Sequence, residues 1–191
     1  GNGVFLIGGG SGTILTSTNT ITWYKSTSGT TGFDGVSYGN GIFVLGGGSG
    51  VIKTSSDNGT WTARTSGTTE AIQSITYGNG IFVTAGNAGT ILSSSNATTW
   101  TARTSGTTQN LFGNTYGNGL YVVVGGSGTI LTSSDGTTWT SRTSGTTQSL
   151  WGIGYGNGLY VVLGSTGTIL TSPDGITWTS RTSGTSQSIM K

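Results

Sequence analysis

Apolar residues in this chain come in short runs broken by Gly-rich and hydroxyl-rich segments, as in Leu120-Tyr121-Val122-Val123-Val124 and Ile130-Leu131. Runs of this length, rich in Val, Ile, Leu, Tyr and Thr, predict strands, and the Asn-Gly at 118–119 and Asp-Gly at 135–136 suit tight hairpins because both dipeptides reach positive φ cheaply. No 3.6-residue apolar periodicity appears, so no helix is predicted. Four strands fit one unit, typified by Gln148–Tyr155, Leu120–Gly125, Thr129–Ser133 and Thr138–Thr143.

That unit repeats. Trp recurs at Trp23, Trp61, Trp100, Trp139 and Trp178, with spacings of 38, 39, 39 and 39, and the Gly-Asn-Gly turn recurs in step at Asn2, Asn40, Asn79, Asn118 and Asn157. Polarity orders the strands in space. The Leu120–Gly125 strand is apolar on both faces and must be buried from both sides. The Trp139-Thr140-Ser141-Arg142 strand is polar apart from its Trp, as an outer edge is. Gly152 and its counterparts Gly35, Ser74 and Gly113 mark a strand where backbones come close, which is placed innermost.

A four-stranded antiparallel sheet buried on both faces and repeated about every 39 residues predicts an all-β fold, a five-bladed β-propeller, with a β-solenoid as the alternative. The blades read as 1–30 plus 185–191, 31–68, 69–107, 108–146 and 147–184 of a single domain spanning 1–191. The chain begins in a second strand, Val4 to Ile7, and stops in a first strand, Ser188 to Lys191. The expected ring is therefore closed by pairing of the C-terminal strand with the N-terminal strand.

Composition narrows the chemistry. Charged residues are 6% of the chain, against about 25% in ordinary soluble domains. The net charge of +2 is no nucleic-acid footprint, there is neither Cys nor His, and no apolar run approaches the roughly 20 residues of a membrane-spanning helix. The expected partners are thus glycans or a protein, with no nucleic acid, no membrane insertion, no metal and no cofactor. A monomer is expected, in a hydroxyl-rich surface that suits an extracellular or surface-associated setting. A start without Met or a basic leader reads as a piece of something longer.

The turns SSDNGTW at 55–61, SSDGTTW at 133–139 and SPDGITW at 172–178 resemble the Asp-box (BNR repeat) of the sialidase-like and photosystem-assembly-factor-like propellers. Each is about one residue shorter than the usual box, and Asn19 and Asn96 stand in for the Asp in STNTITW and SSNATTW. The resemblance covers all five repeats and implies a propeller whose boxes are fold elements on the outer hairpins, remote from the site. Independently, an Asp in such a turn accepts backbone N–H groups and Asn can do the same, whereas a catalytic carboxylate does not tolerate that exchange. One acid per turn is also far short of the six to eight oxygens calcium takes.

The acids number five: Asp34, Asp57, Glu70, Asp135 and Asp174. Three belong to these turns. Asp34 and Glu70 fall on adjacent blades, the one pairing open to glycoside hydrolysis. The Arg triad implied by a sialidase resemblance is missing, because Arg64, Arg103, Arg142 and Arg181 hold the same phase in four outer strands and spread around the rim. Nucleophilic catalysis has no base to use, so no enzyme is expected. The turn GGGSG at 46–50 precedes a strand, which makes it a hairpin turn and no phosphate loop.

Where near-identical copies differ, the differences carry information. The sharpest lies at the start of the innermost strand, where Asp34, Gln73, Phe112, Trp151 and Met190 align, each after an apolar residue: Phe33, Ile72, Leu111, Leu150 and Ile189. Connectivity puts this ring on the side of the Gly-rich turns and the Ser-Gly-Thr crossovers, at the mouth of the central channel. The five residues are either plain filling of that mouth or a stacking surface with polar partners. The second reading gives a carbohydrate-binding, lectin-like propeller. The alternatives are a structural or protein-interaction module of a surface, adhesin or phage-appendage protein, or an amplified or designed repeat without a natural ligand.

Overall fold

The computed structural model describes residues 1–190 and is all-β. It is a propeller of five sheets. The first holds β1 (Phe5–Gly8), β2 (Thr13–Ser17) and β3 (Tyr24–Thr27), and the second β4 (Phe33–Gly39), β5 (Ile42–Gly47), β6 (Ile52–Ser55) and β7 (Thr62–Arg64). The third comprises β8 (Ile72–Gly78), β9 (Ile81–Gly86), β10 (Ile91–Ser94) and β11 (Thr101–Arg103). The fourth has β12 (Leu111–Gly117), β13 (Leu120–Gly125), β14 (Ile130–Ser133) and β15 (Thr140–Arg142), and the last β16 (Leu150–Gly156), β17 (Leu159–Gly164), β18 (Ile169–Ser172) and β19 (Thr179–Arg181).

All pairings are antiparallel and sequential, so each blade is a meander. The strands β4, β8, β12 and β16 pack on one another in turn and form the inner wall. As the polarity pattern predicts, β5, β9 and β13 are buried almost throughout while β7, β11 and β15 are exposed outer edges. The core lies between blades. Val122, Val124, Ile130 and Leu150 meet Tyr160, Val162 and Leu170 across one junction, and each fully buried aliphatic or aromatic side chain there contributes about 1.5–3 kcal/mol.

One contact recurs at every junction. A Tyr on the inner strand of each blade lies on the bare backbone of a glycine in the blade before it: Tyr38 on Gly1, Tyr77 on Gly39, Tyr116 on Gly78 and Tyr155 on Gly117. A Cβ on Gly117 would come within 2.2 Å of the Tyr155 ring, so only glycine fits.

Two features depart from the expected closed ring. The first sheet has three strands, with β1 as its inner edge, paired on one side only. The C-terminal segment does not pair with β1 among the described residues; Ile189 donates its backbone N–H to the Gly164 carbonyl at 2.9 Å. That bond holds Ile189 against the last blade, and Lys191 lies outside the described residues. The Gly-rich turns also differ from plain hairpin turns, because each of those in the last four blades folds into a 3-10 turn, Gly48–Gly50, Asn87–Gly89, Gly126–Gly128 and Ser165–Gly167. Their central residues Ser49, Ala88, Ser127 and Thr166 sit at positive φ of 55°, 50°, 53° and 51°.

Candidate functional site

The positions singled out by repeat comparison share a backbone device. In β4 the register runs Phe33 opposite Gly47 and then Gly35 opposite Gly46, which leaves Asp34 as the extra residue of a β-bulge. Gln73, Phe112 and Trp151 are the extra residues of the same bulge in β8, β12 and β16. A bulge releases one side chain from the alternation of the strand and re-aims it. Close approach of neighbouring inner strands accompanies it: a Cβ on Gly113 would lie 3.3–3.4 Å from the backbone of Trp151 and Gly152.

Two of the re-aimed side chains reach the 3-10 turn of their own blade. Trp151 donates its indole Nε1–H to Ser165 Oγ at 2.9 Å, and Gln73 donates Nε2–H to Asn87 Oδ1 at 3.2 Å. Both spans are 14 residues, the same register in two blades. Across the blade boundary, the Phe112 and Trp151 rings meet with centroids 4.4 Å apart and planes tilted by 33°. Phe112, Trp151 and Gln73 are half-buried, Asp34 is exposed, and Met190 is 65% exposed on the C-terminal segment. The structure thus joins Phe112 to Trp151 and ties Gln73 to its own turn; Asp34 occupies the same bulge position in β4, and Met190 stands outside any strand.

Sequence comparison missed the other half of this wall. Of the first residues of the 3-10 turns, Gly48, Asn87, Gly126 and Ser165, only Asn87 and Ser165 carry side chains, and these are the two hydrogen-bond partners of Gln73 and Trp151. The crossovers add Asn110, whose Oδ1 accepts the Ala88 N–H at 2.9 Å, and Gln109, whose Oε1 accepts the Ser127 hydroxyl at 3.2 Å. The exchange of Gly for Asn87 and Ser165 at that turn position is readable in the repeats.

The other polar groups are engaged in the scaffold. Asp57 Oδ1 accepts the Gly59 and Thr60 N–H groups and the Ser55 hydroxyl at 2.8–2.9 Å. Asn19, Asn96, Asp135 and Asp174 do the same in their own turns. These donated bonds, that from Thr60 foremost for Asp57 and that from Thr177 for Asp174, hold the two carboxyls at about 2. Bonds from Thr138 and Thr137 lower Asp135 further still. Each outer-strand Arg is tied to the third strand of its blade, with Arg64, Arg142 and Arg181 Nε donating to Thr54, Thr132 and Thr171 at 2.8 Å and Arg103 to Ser93 at 2.7 Å. Among the described residues no three acidic, Cys or His side chains come together.

The DUF6242 beta propeller domain family model matches residues 18–150. The chain belongs to that family. Solved structures share the fold of this DUF6242 beta propeller at low identity. YCF48 bound to D1 peptide aligns at a TM-score of 0.70 with 19% identity, over 93% of this chain and 63% of that one. The computationally designed Ika8 protein aligns at 0.62 with 13% identity, over 84% and 55%. The WD40 beta propeller domain of Doa1 aligns at 0.65 with 11% identity, over 87% and 60%. The chain therefore spans about three fifths of the length of these neighbours. A search of the curated proteins finds no match.

Proposed function

We propose that this propeller is a non-enzymatic binding module that takes a peptide segment of a protein partner across the turn side of the blades, anchored on Phe112 and Trp151. The observation that carries the reading is the aromatic pair itself: two half-buried rings in mutual contact, lifted out of the strand alternation by bulges and fixed by the Trp151 to Ser165 bond. Rings that use their facing surfaces on each other present a ridge of edges and outer faces, which suits an apolar side chain with backbone amides bonding to the surrounding Gln, Asn and Ser groups. That YCF48, a neighbour in fold, is described bound to a peptide agrees with this choice of partner. The non-enzymatic part rests on the acids: three are consumed in turns, and Asp34 and Glu70 sit on different blades. The Asp-box reading of those turns fits the same division, with the boxes holding the fold and the opposite side left for binding.

A carbohydrate is the second reading, favoured by the outer face of Trp151 beside amide and hydroxyl groups. One experiment separates the two. Peptide and glycan arrays are probed with the wild type and with Trp151→Ala, whose fold is checked by circular dichroism. Peptide binding that falls at least about tenfold in the variant, the scale of one anchor residue, supports the proposal. Glycan binding lost in the variant supports the second reading instead, and equal binding by both proteins overturns the site.

A further inference from the structure

Away from the aromatic pair, the second, third and fourth blades each carry an open cleft. The sequence Arg-Thr-Ser-Gly-Thr-Thr recurs at 64–69, 103–108 and 142–147, where the chain leaves the last strand of one blade for the inner strand of the next. With the 3-10 turn of its own blade, each copy lines a cleft of about 750, 630 and 600 Å3 respectively. The frame is braced from within. Ser66 Oγ donates to the Thr68 carbonyl at 3.1 Å and accepts the Thr68 N–H at 3.3 Å, and Ser105 and Ser144 repeat that pair of bonds. The 3-10 turns are held against this loop, with the Gly89 and Gly128 N–H groups donating to the Gln109 and Gln148 carbonyls at 2.9 Å.

What the frame presents is one guanidinium and a set of hydroxyls. Arg64, Arg103 and Arg142 are half-buried, and among the described residues each is bonded through Nε alone, to a Thr or Ser of the third strand at 2.7–2.8 Å. That bond fixes the side chain and leaves its terminal nitrogens to a ligand. A fixed guanidinium suits a carboxylate, which it takes through two parallel charge-assisted hydrogen bonds. The Thr104 and Thr108 side chains and their counterparts are exposed, and hydroxyls that both donate and accept match those of a sugar. Val51 and Ala88 are the only apolar residues lining the three clefts, so an apolar peptide side chain finds little cover there. Acids grade the three copies. Glu70 lines the cleft of Arg64, and Asp57 shares a smaller hollow with the same Arg. Gln109 and Gln148 stand at the place of Glu70 in the next two blades, and Arg103 shares its hollow with Asn96 in place of an Asp.

We propose that these clefts are repeated sites for the carboxylate-bearing sugars of an acidic polysaccharide, strongest at Arg103 in the third blade and weakest at Arg64 in the second. They are separate from the Phe112 and Trp151 pair and do not rest on the peptide reading. Consecutive blades offer the same cleft, so one polymer engages several at once and gains through avidity what a single open cleft lacks.

The test is calorimetry on the 191-residue chain with a galacturonate oligomer, its methyl ester and a glutamate oligomer of the same charge. The wild type is expected to bind the galacturonate oligomer and not the ester, and more weakly as salt is added. Arg103→Gln, its fold checked by circular dichroism, is expected to lower the affinity about tenfold, the scale of a bond to a charged group. Glu70→Gln makes the second cleft match the other two and is expected to raise the affinity about twofold to fivefold, the scale of one exposed charge. Such a gain has no source in a damaged fold. No binding of the galacturonate oligomer, equal binding of its ester, an unchanged affinity in Arg103→Gln or no gain in Glu70→Gln overturns the proposal. The glutamate oligomer bound as tightly overturns the sugar as ligand, and galacturonate binding lost in Trp151→Ala overturns the clefts as the site.

Discussion

Single residues in this propeller divide into those that are interchangeable between blades and those that are not. Asp57 and Asn96 make the same turn with the same pair of backbone N–H donors, so the charge is dispensable to the geometry. It is not dispensable to pH response. Asp57 and Asp174 are held at about 2 against an ordinary 3.8, so their ionised forms favour the fold. That contribution is complete above the unfolded value near 4 and lost as pH falls to about 2. Asp57→Asn with Asp174→Asn is accordingly expected to leave the melting temperature at pH 7 nearly unchanged and to make it fall less steeply between pH 4 and pH 2, read by thermal denaturation at both ends of that window. Gly117 behaves differently. Gly117→Ala forces a Cβ into the Tyr155 ring, and a loss of about 1–3 kcal/mol, the usual cost of overpacking, is expected in urea unfolding. A second site of this kind is the Tyr160 hydroxyl, which donates to the Gly117 carbonyl and is pushed up to about 12 chiefly by burial. Tyr160→Phe is expected to cost about 1 kcal/mol, because Phe43 and Phe82 already fill the same place in two blades.

At the scale of one element, the inner strand does two jobs with one extra residue. Leu111 and Leu150 anchor β12 and β16 in the core, and the next residue, freed by the bulge, meets its counterpart across the blade boundary. The aromatic pair so formed is testable by a double-mutant cycle on Phe112→Ala and Trp151→Ala, with an expected coupling of about 0.5–1.5 kcal/mol in stability. A coupling near zero means that the rings meet without mutual support. The strands themselves were legible from the apolar runs, since Leu120–Gly125 stands where the pattern puts it and the other three elements of the unit differ only at their ends. The bulge was not. Nothing in Leu111-Phe112-Gly113 distinguishes a bulged residue from an alternating one until the register opposite Val124 and Gly125 is known. The 3-10 turns were not legible either, because Ser, Ala and Thr rarely take positive φ and the closing bonds, such as Thr129 N–H to the Gly126 carbonyl, appear only in the folded turn.

Across the whole molecule, stability is distributed by position in the arc. β9 and β13 are covered on both faces, whereas β1 leaves Phe5 and Ile7 exposed. Hydrogen exchange is therefore expected to be slowest in β9 and β13 at any protein concentration. In β1, with its exposed Phe5 and Ile7, it is expected to be faster. Protection of β1 equal to that of β9 counts against this gradient.

The sequence by itself determined the unit, its repetition and the ordering of strands from inner to outer, because these follow from local alternation, turn chemistry and a period of 39 residues. It also marked Asp34, Gln73, Phe112 and Trp151, because copies that agree nearly everywhere make a disagreement visible. Only the tertiary structure decided that those residues are bulged, that Phe112 and Trp151 touch across a blade boundary, and that Ile189 ends on Gly164 with β1 left open. The physical reason is common to all three: each depends on register or contact between strands far apart in the chain, and a repeat pattern is the same whether its two ends meet or not.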